Sequence, residues 1–140
     1  MLSAKTQYAC LAAAQLAAEH DLERPVQAAR IAEQHGIPAT FLVQILNELK
    51  RAGLVTSTRG AGGGYRLTDA PAETTLYDIA EALDPVEAEP ACAARASPLA
   101  SFMEQLCSDL AQARRERLAA TTLADLARLT AADTAPMWYI

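Results

Sequence analysis

At 140 residues the chain is sized for one compact unit with an appended element, which excludes a large multidomain enzyme. Hydrophobic residues at 51% against 21% charged exclude a disordered chain, and 5% aromatics with abundant alanine point to a mainly α core of small, closely packed side chains. The net charge of −5 is uneven: residues 1–68 carry seven basic and five acidic side chains, residues 69–140 five and twelve, so the acidity that argues against a nucleic-acid partner belongs to the second half.

The first predicted helix covers residues 5–19, with Tyr8, Leu11, Ala12, Leu16 and Ala18 near helical spacing and Gln7 and Gln15 on other faces. Pro25 interrupts. A short second helix over residues 27–35 sets Ala28, Ile31 and Ala32 on one face and ends at Gly36, a natural left-handed cap. Pro38 suits the first position of a third helix, whose apolar stripe Phe41, Leu42, Ile45, Leu46 and Leu49 runs toward Gly53. Two helices joined by a tight turn fit a helix-turn-helix as well as an ordinary helical hairpin.

The next segment decides between them. Leu54 to Thr58 and Tyr65 to Leu67 favour β structure around a tip holding Gly60, Gly62, Gly63 and Gly64, flanked by Arg59 and Arg66. A basic, glycine-rich hairpin directly after a helix-turn-helix is the wing of a winged helix, able to reach phosphates or a narrow minor groove. A nucleotide-binding loop is rejected, because the Gly-Lys-Ser/Thr ending and the following helix are missing. A flexible turn without function would leave the basic flank unexplained.

Thr75 and Asp78 form an approximate capping box for a helix bearing Leu76, Ile79, Ala80 and Leu83. Residues 85–98 read as a loop with three prolines and Cys92. Leu99, Phe102, Met103, Leu106, Leu110 and Ala113 then mark a long amphipathic helix toward Leu118. A further helix starts at Thr122 and Asp125, and the chain ends on the apolar run Met137, Trp138, Tyr139 and Ile140, expected to dock on the protein.

No run approaches the roughly 18 apolar residues of a membrane span, and the start lacks the basic and apolar regions of a secretion signal, so a cytoplasmic protein without membrane contact is expected. Three cysteines, Cys10, Cys92 and Cys107, do not suggest a disulfide framework. His20 and His35 stand at polar helix ends without a nucleophile motif, so no enzyme is expected, and no CxxC or HxxxH pair suggests a metal site.

The segments RAGLV, RGAGGGYRL and TLYDIAEAL, in this order after a helix-turn-helix and before a cysteine-bearing loop, closely resemble the Rrf family of bacterial transcription regulators, of the IscR and NsrR type. The resemblance is close over residues 2–83 and looser beyond. It implies a winged helix-turn-helix over residues 1–84, a sensor loop over 85–98, and a dimerisation helix with a C-terminal helix over 99–140. Such a protein is a homodimer and most often a repressor. It presents two winged helices to a pseudo-palindromic operator in double-stranded DNA, with the long helix of each protomer crossing its mate through Leu99, Phe102, Met103, Leu106 and Leu110. Left exposed, that stripe would exceed what a soluble surface usually tolerates; the alternative is that it packs on the first helix of its own chain.

On the third helix, Thr40, Gln44 and Asn47 lie opposite the apolar stripe and are expected to face the major groove, with Val43 beside them able to meet a thymine methyl. Val43 departs from the glutamate that many relatives carry at this place. Lys50, Arg51 and Arg59 suit phosphates, and Gly60, Gly62, Gly63 and Tyr65 complete the wing's expected contribution. Cluster-binding members carry three closely spaced loop cysteines and a fourth ligand. Here the loop has Cys92 alone, with Ser97 where another family cysteine could stand, and Cys107 falls inside the following helix. The set Cys92, Cys107 and Cys10 is therefore incomplete for a two-iron two-sulfur cluster, and no cofactor is assigned. Thiol switching at Cys92, and a small ligand or a protein partner binding the loop and long helix, stand beside the cluster as sensing modes. A winged helix used for protein contact without DNA is the alternative function, favoured by the acidic second half.

Overall fold

Ser3 starts the first helix, α1 (Ala4–Ala18): its hydroxyl accepts the Thr6 N–H at 3.1 Å, the ordinary way a serine satisfies a free amide in a helix's first turn. The computed structural model describes residues 2–85 and 95–133, so Cys92 and the apolar end from Met137 to Ile140 lie outside the described residues. The predicted stripe on α1 needs correction. Leu11 and Ala18 are exposed, while Thr6, Ala9 and every residue from Ala12 to Ala17 are buried. A helix built from alanine has little contrast between its faces, so it can be packed on several sides at once and its buried side cannot be read from periodicity.

After a turn of 3-10 helix (His20–Leu22), Val26 forms a single-residue bridge to the wing, and α2 (Ala28–His35) follows. Gly36 closes α2 at φ 66°, a left-handed position that favours glycine. Three residues later begins α3 (Ala39–Arg51), with Pro38 as its cap. Its inner face is Leu42, Ile45, Leu46 and Leu49, all buried in the core together with Ile31 and Ile37.

The strands β1 (Val55–Thr58) and β2 (Gly64–Leu67) pair antiparallel, Val55 opposite Leu67 and Thr58 opposite Gly64. Val55 and Leu67 are buried and anchor the base of this hairpin in the core. α4 (Leu76–Leu83) carries the capping box expected of Thr75 and Asp78, and Thr122 and Asp125 form the same reciprocal pair at the start of α6 (Leu123–Asp133). These two starts lie side by side, since the Leu76 N–H donates to the Thr121 carbonyl at 3.0 Å and the Leu123 N–H to the Thr74 carbonyl at 2.9 Å. α6 thereby lies along α1.

In sequence between α4 and α6 comes α5 (Pro98–Ala119), 22 residues capped by Ser97, whose hydroxyl accepts the Ala100 N–H at 3.0 Å. The stripe expected to pair with a partner is open to solvent: Leu99, Phe102, Met103, Leu106 and Leu110 are all exposed, and only Leu118 is buried. The alternative of packing on α1 does not occur, because α6 occupies that position. The fold is thus mainly α with one small β-hairpin, a winged helix-turn-helix followed by a long helix. Among the described residues no helix is long and apolar enough to cross a membrane.

Candidate nucleic-acid interface

Burial of one side of α3 dictates what its other side presents. With Leu42, Ile45, Leu46 and Leu49 in the core, Thr40, Val43, Gln44, Asn47, Lys50 and Arg51 are all exposed. The helix starts at Pro38 without a side-chain cap, so its first backbone N–H groups remain free to meet an anion. Edge-to-face packing of Phe41 on Tyr8 of α1, at 5.8 Å between ring centres, holds this start against the core.

A polar chain fixes α2 against α1. The Gln15 amide donates to Glu19 at 2.8 Å, and Arg30 of α2 donates to the same carboxylate at 2.5 Å. Gln15 in turn meets the His35 Nε2 at 3.3 Å. Gln15 and Glu19 are buried, so their partners offset the cost of withdrawing them from water.

The wing is tied to the helix-turn-helix at three places. Val26 and Tyr65 exchange backbone hydrogen bonds, Gln27 donates to the Ala61 carbonyl at 3.4 Å, and the Lys50 ammonium donates to the Ser57 hydroxyl at 2.7 Å. Lys50 and Ser57 are both exposed, so that tie crosses the surface between α3 and β1. Arg59, Gly60 and Gly62 form the exposed tip.

The glycines differ in kind. A Cβ on Gly63 would collide with the Thr58 carbonyl and stand 2.9 Å from that of Gly60, whose oxygen accepts the Gly63 N–H. Gly62 faces open space. Gly63 is therefore packed inside the turn, and Tyr65 is half-buried with its ring against the core. Both shape the wing from within. The bridge through Val26 has only a weak local signal, a valine standing between Pro25 and the polar Gln27.

The sensor residues are not brought together. Cys10 is half-buried on α1, where burial pushes its thiol up to about 11 and keeps it neutral at pH 7. Cys107 is exposed on α5. Ser97, which stands near a family cysteine position, is occupied with capping α5. Among the described residues no group of three or more His, Cys, Asp or Glu side chains is placed to hold a metal ion, and these residues alone do not make up a cluster's ligand set.

Comparison with known proteins agrees with this geometry. The profile of Rrf2, described as an iron-dependent transcriptional regulator, matches residues 2–129. The protein rrf2 of Nitratidesulfovibrio vulgaris is 36% identical over 118 residues, covering 79% of this chain and 77% of that one. The HTH-type transcriptional regulator IscR of Aliivibrio salmonicida is 42% identical over 83 residues, 59% of this chain and 49% of that one, so the chain aligns with about half the length of that relative. Among solved structures, CymR, the global cysteine regulator of B. subtilis, superposes with a TM-score of 0.80 at 32% identity, covering 92% of this chain and 97% of that one.

Proposed function

The chain belongs to the Rrf2 family of transcriptional regulators, and from that premise we propose that it is a sequence-specific, dimeric DNA-binding regulator that acts as a repressor. The observation that carries this reading is the exposed polar face of α3, Thr40, Gln44 and Asn47, joined through Lys50 and Ser57 to a wing tipped by Arg59. An amide side chain on an exposed recognition helix can bond an adenine edge in two places, and Val43 offers an apolar contact to a thymine methyl. Lys50, Arg51 and Arg59 neutralise phosphates on either side, while the tip at Gly60 and Gly62 approaches the backbone or the minor groove.

Dimerisation through α5 supplies the second reading head. A helix of 22 residues with an apolar stripe open to solvent is an unfinished interface, and a second copy of the same stripe completes it. Two copies of α3 related by a two-fold axis fit half-sites about 34 Å apart, which makes the operator pseudo-palindromic. In this reading the chain divides into a winged helix-turn-helix over 1–84, a sensor segment over 85–98 and a dimerisation and C-terminal helical part over 99–140. The signal is redox, iron–sulfur or small-molecule in kind, and the protein acts in the cytoplasm.

The test is selection of binding sites from random duplexes, followed by titration of the winning duplex between 50 and 200 mM salt. Enrichment of an inverted repeat and a steep fall of affinity with salt are expected, since each neutralised phosphate releases counterions. The net charge of −5 favours a second reading, a winged helix for protein contact. That reading predicts no duplex binding at any salt.

A further inference from the structure

Away from the DNA-facing side, four helices leave a cleft of about 380 Å³ between them. It is lined by Cys10 and Ala14 of α1, His35 at the end of α2, Leu76 at the start of α4 and Leu126 of α6. Leu11 and Leu129, 42% and 65% exposed, stand at its mouth. The volume lies in the range of small-molecule sites, roughly 300–1,000 Å³.

The lining chemistry narrows what fits. Among the described residues that line it there is no carboxylate for a cation and no Lys or Arg for an anion; the ionisable groups are the His35 imidazole and the Cys10 thiol. The polar groups are partly engaged, the Gln7 amide with the Leu2 carbonyl at 3.0 Å and the Thr130 hydroxyl with the Leu126 carbonyl at 3.2 Å. The Cys10 thiol, neutral through burial, adds soft apolar surface. A guest here is held by burial of carbon and by one or two hydrogen bonds at the rim.

The position of His35 gives the cleft its interest. It is the last residue of α2, and it reaches Gln15, which leads through Glu19 to Arg30. Part of the cleft's lining is thus the end of the first helix of the helix-turn-helix, tied to α1 by a partly buried polar chain. A guest that moves the His35 ring pulls on the contacts that set α2, and with it α3, against α1.

We infer that this cleft is an effector site for a small, neutral, largely apolar molecule, and that its occupancy reaches the DNA-binding helices through His35 and Gln15. The coupling half of this inference rests on the regulator reading above; the binding half does not.

The probe is N-phenyl-1-naphthylamine, neutral and fluorescent when buried, titrated into the full chain. Saturable binding at one probe per protomer is expected, weakened at least tenfold by Leu129→Asp and by Leu11→Trp. Both positions are exposed, so neither substitution disturbs the core. Leu22→Asp, at an exposed leucine outside the cleft, should bind within twofold of the parent. Saturating probe should change duplex affinity at least threefold in the parent and leave Leu129→Asp unchanged. The site is overturned if the parent shows no saturation, if Leu22→Asp loses binding equally, or if Phe102→Asp rather than the cleft variants abolishes it. Binding that appears only after Trp138→Gly also overturns it, because the chain itself would then be the occupant. Probe binding without any change in duplex affinity overturns the coupling. Intact probe binding by a protein that binds no duplex would sink the regulator reading and leave the binding site standing.

Discussion

Val26 and Tyr65 exchange both backbone hydrogen bonds, the Val26 N–H reaching the Tyr65 carbonyl at 2.9 Å and the Tyr65 N–H the Val26 carbonyl at 2.8 Å. This bridge sews the wing to the segment that leads into α2, and it explains the glycine beside it. Gly64 has φ +149°, and a Cβ there would run into the Val26 carbonyl. Gly64→Ala is expected to destabilise the fold by about 1–3 kcal/mol, the usual cost of a strained backbone. Gly62→Ala, at an open position without a left-handed φ, should leave stability within about 0.5 kcal/mol of the parent. Chemical denaturation of the two variants checks this; equal losses would mean that the bridge does not set the wing.

On α3 the buried and exposed faces allow stability to be tested apart from the proposed base reading. Gln44→Ala and Asn47→Ala remove exposed side chains and should leave the melting temperature unchanged, while each lowers affinity for the selected duplex by roughly tenfold or more, the worth of about 1–3 kcal/mol per bidentate base contact. Leu46→Ala, fully buried, should behave in the opposite way and cost about 2–5 kcal/mol of stability. Anisotropy titration and thermal melts on the same preparations separate the two. Unchanged affinity in both amide variants would move base reading away from this face.

Much of this architecture was legible in local signals. Gly36, Thr75 with Asp78, and Pro98 mark helix boundaries within a few residues of themselves, so no tertiary information is needed to place them. Which face of α3 is exposed was legible because its inner face is strictly periodic. What the sequence hides is non-local. Val26 and Tyr65 are far apart along the chain, the tip glycines look alike until Thr58 is found packed on Gly63, and the cleft is assembled from residues as distant as Cys10 and Leu126. The burial of α1 escaped for another reason, since alanine offers no contrast between a face turned inward and one turned outward. The role of Ser97 was ambiguous in sequence because a residue at a family cysteine position and a helix cap can be the same residue.

Asp84, the first residue past α4, accepts hydrogen bonds from the Ser3 and Thr6 hydroxyls, the second at 2.5 Å. The Ser3 hydrogen bond, then that of Thr6, holds its carboxyl below the ordinary range, so the folded state binds this proton more weakly than the unfolded chain. The stabilising contribution is therefore fully present above the unfolded value near 4 and is lost as pH falls through the lower folded value. Asp84→Asn should lower the melting temperature at pH 7, and the gap to the parent should narrow steadily below about pH 4. A gap that is constant from pH 7 to pH 3 would show that the ionised carboxylate contributes nothing at this junction.

The α5 stripe makes the sharpest demand on assembly. Phe102 and Leu110 are each 62% exposed, and no other described part of the chain covers them. Burying a side chain of this size is worth about 1.5–3 kcal/mol, and a two-fold interface buries each one twice, so the stripe favours a dimer well beyond what one exposed leucine could. A carboxylate placed there must be desolvated on association and faces its own copy near the axis. Phe102→Asp combined with Leu106→Asp is expected to give a monomer by sedimentation, with the winged helix intact in melting experiments because neither side chain touches the core. Affinity for a full inverted repeat should then fall at least a hundredfold, while affinity for a single half-site changes little, since only the coupling between the two reading heads is lost. A dimer that survives both substitutions would mean that α5 packs against something other than its own copy.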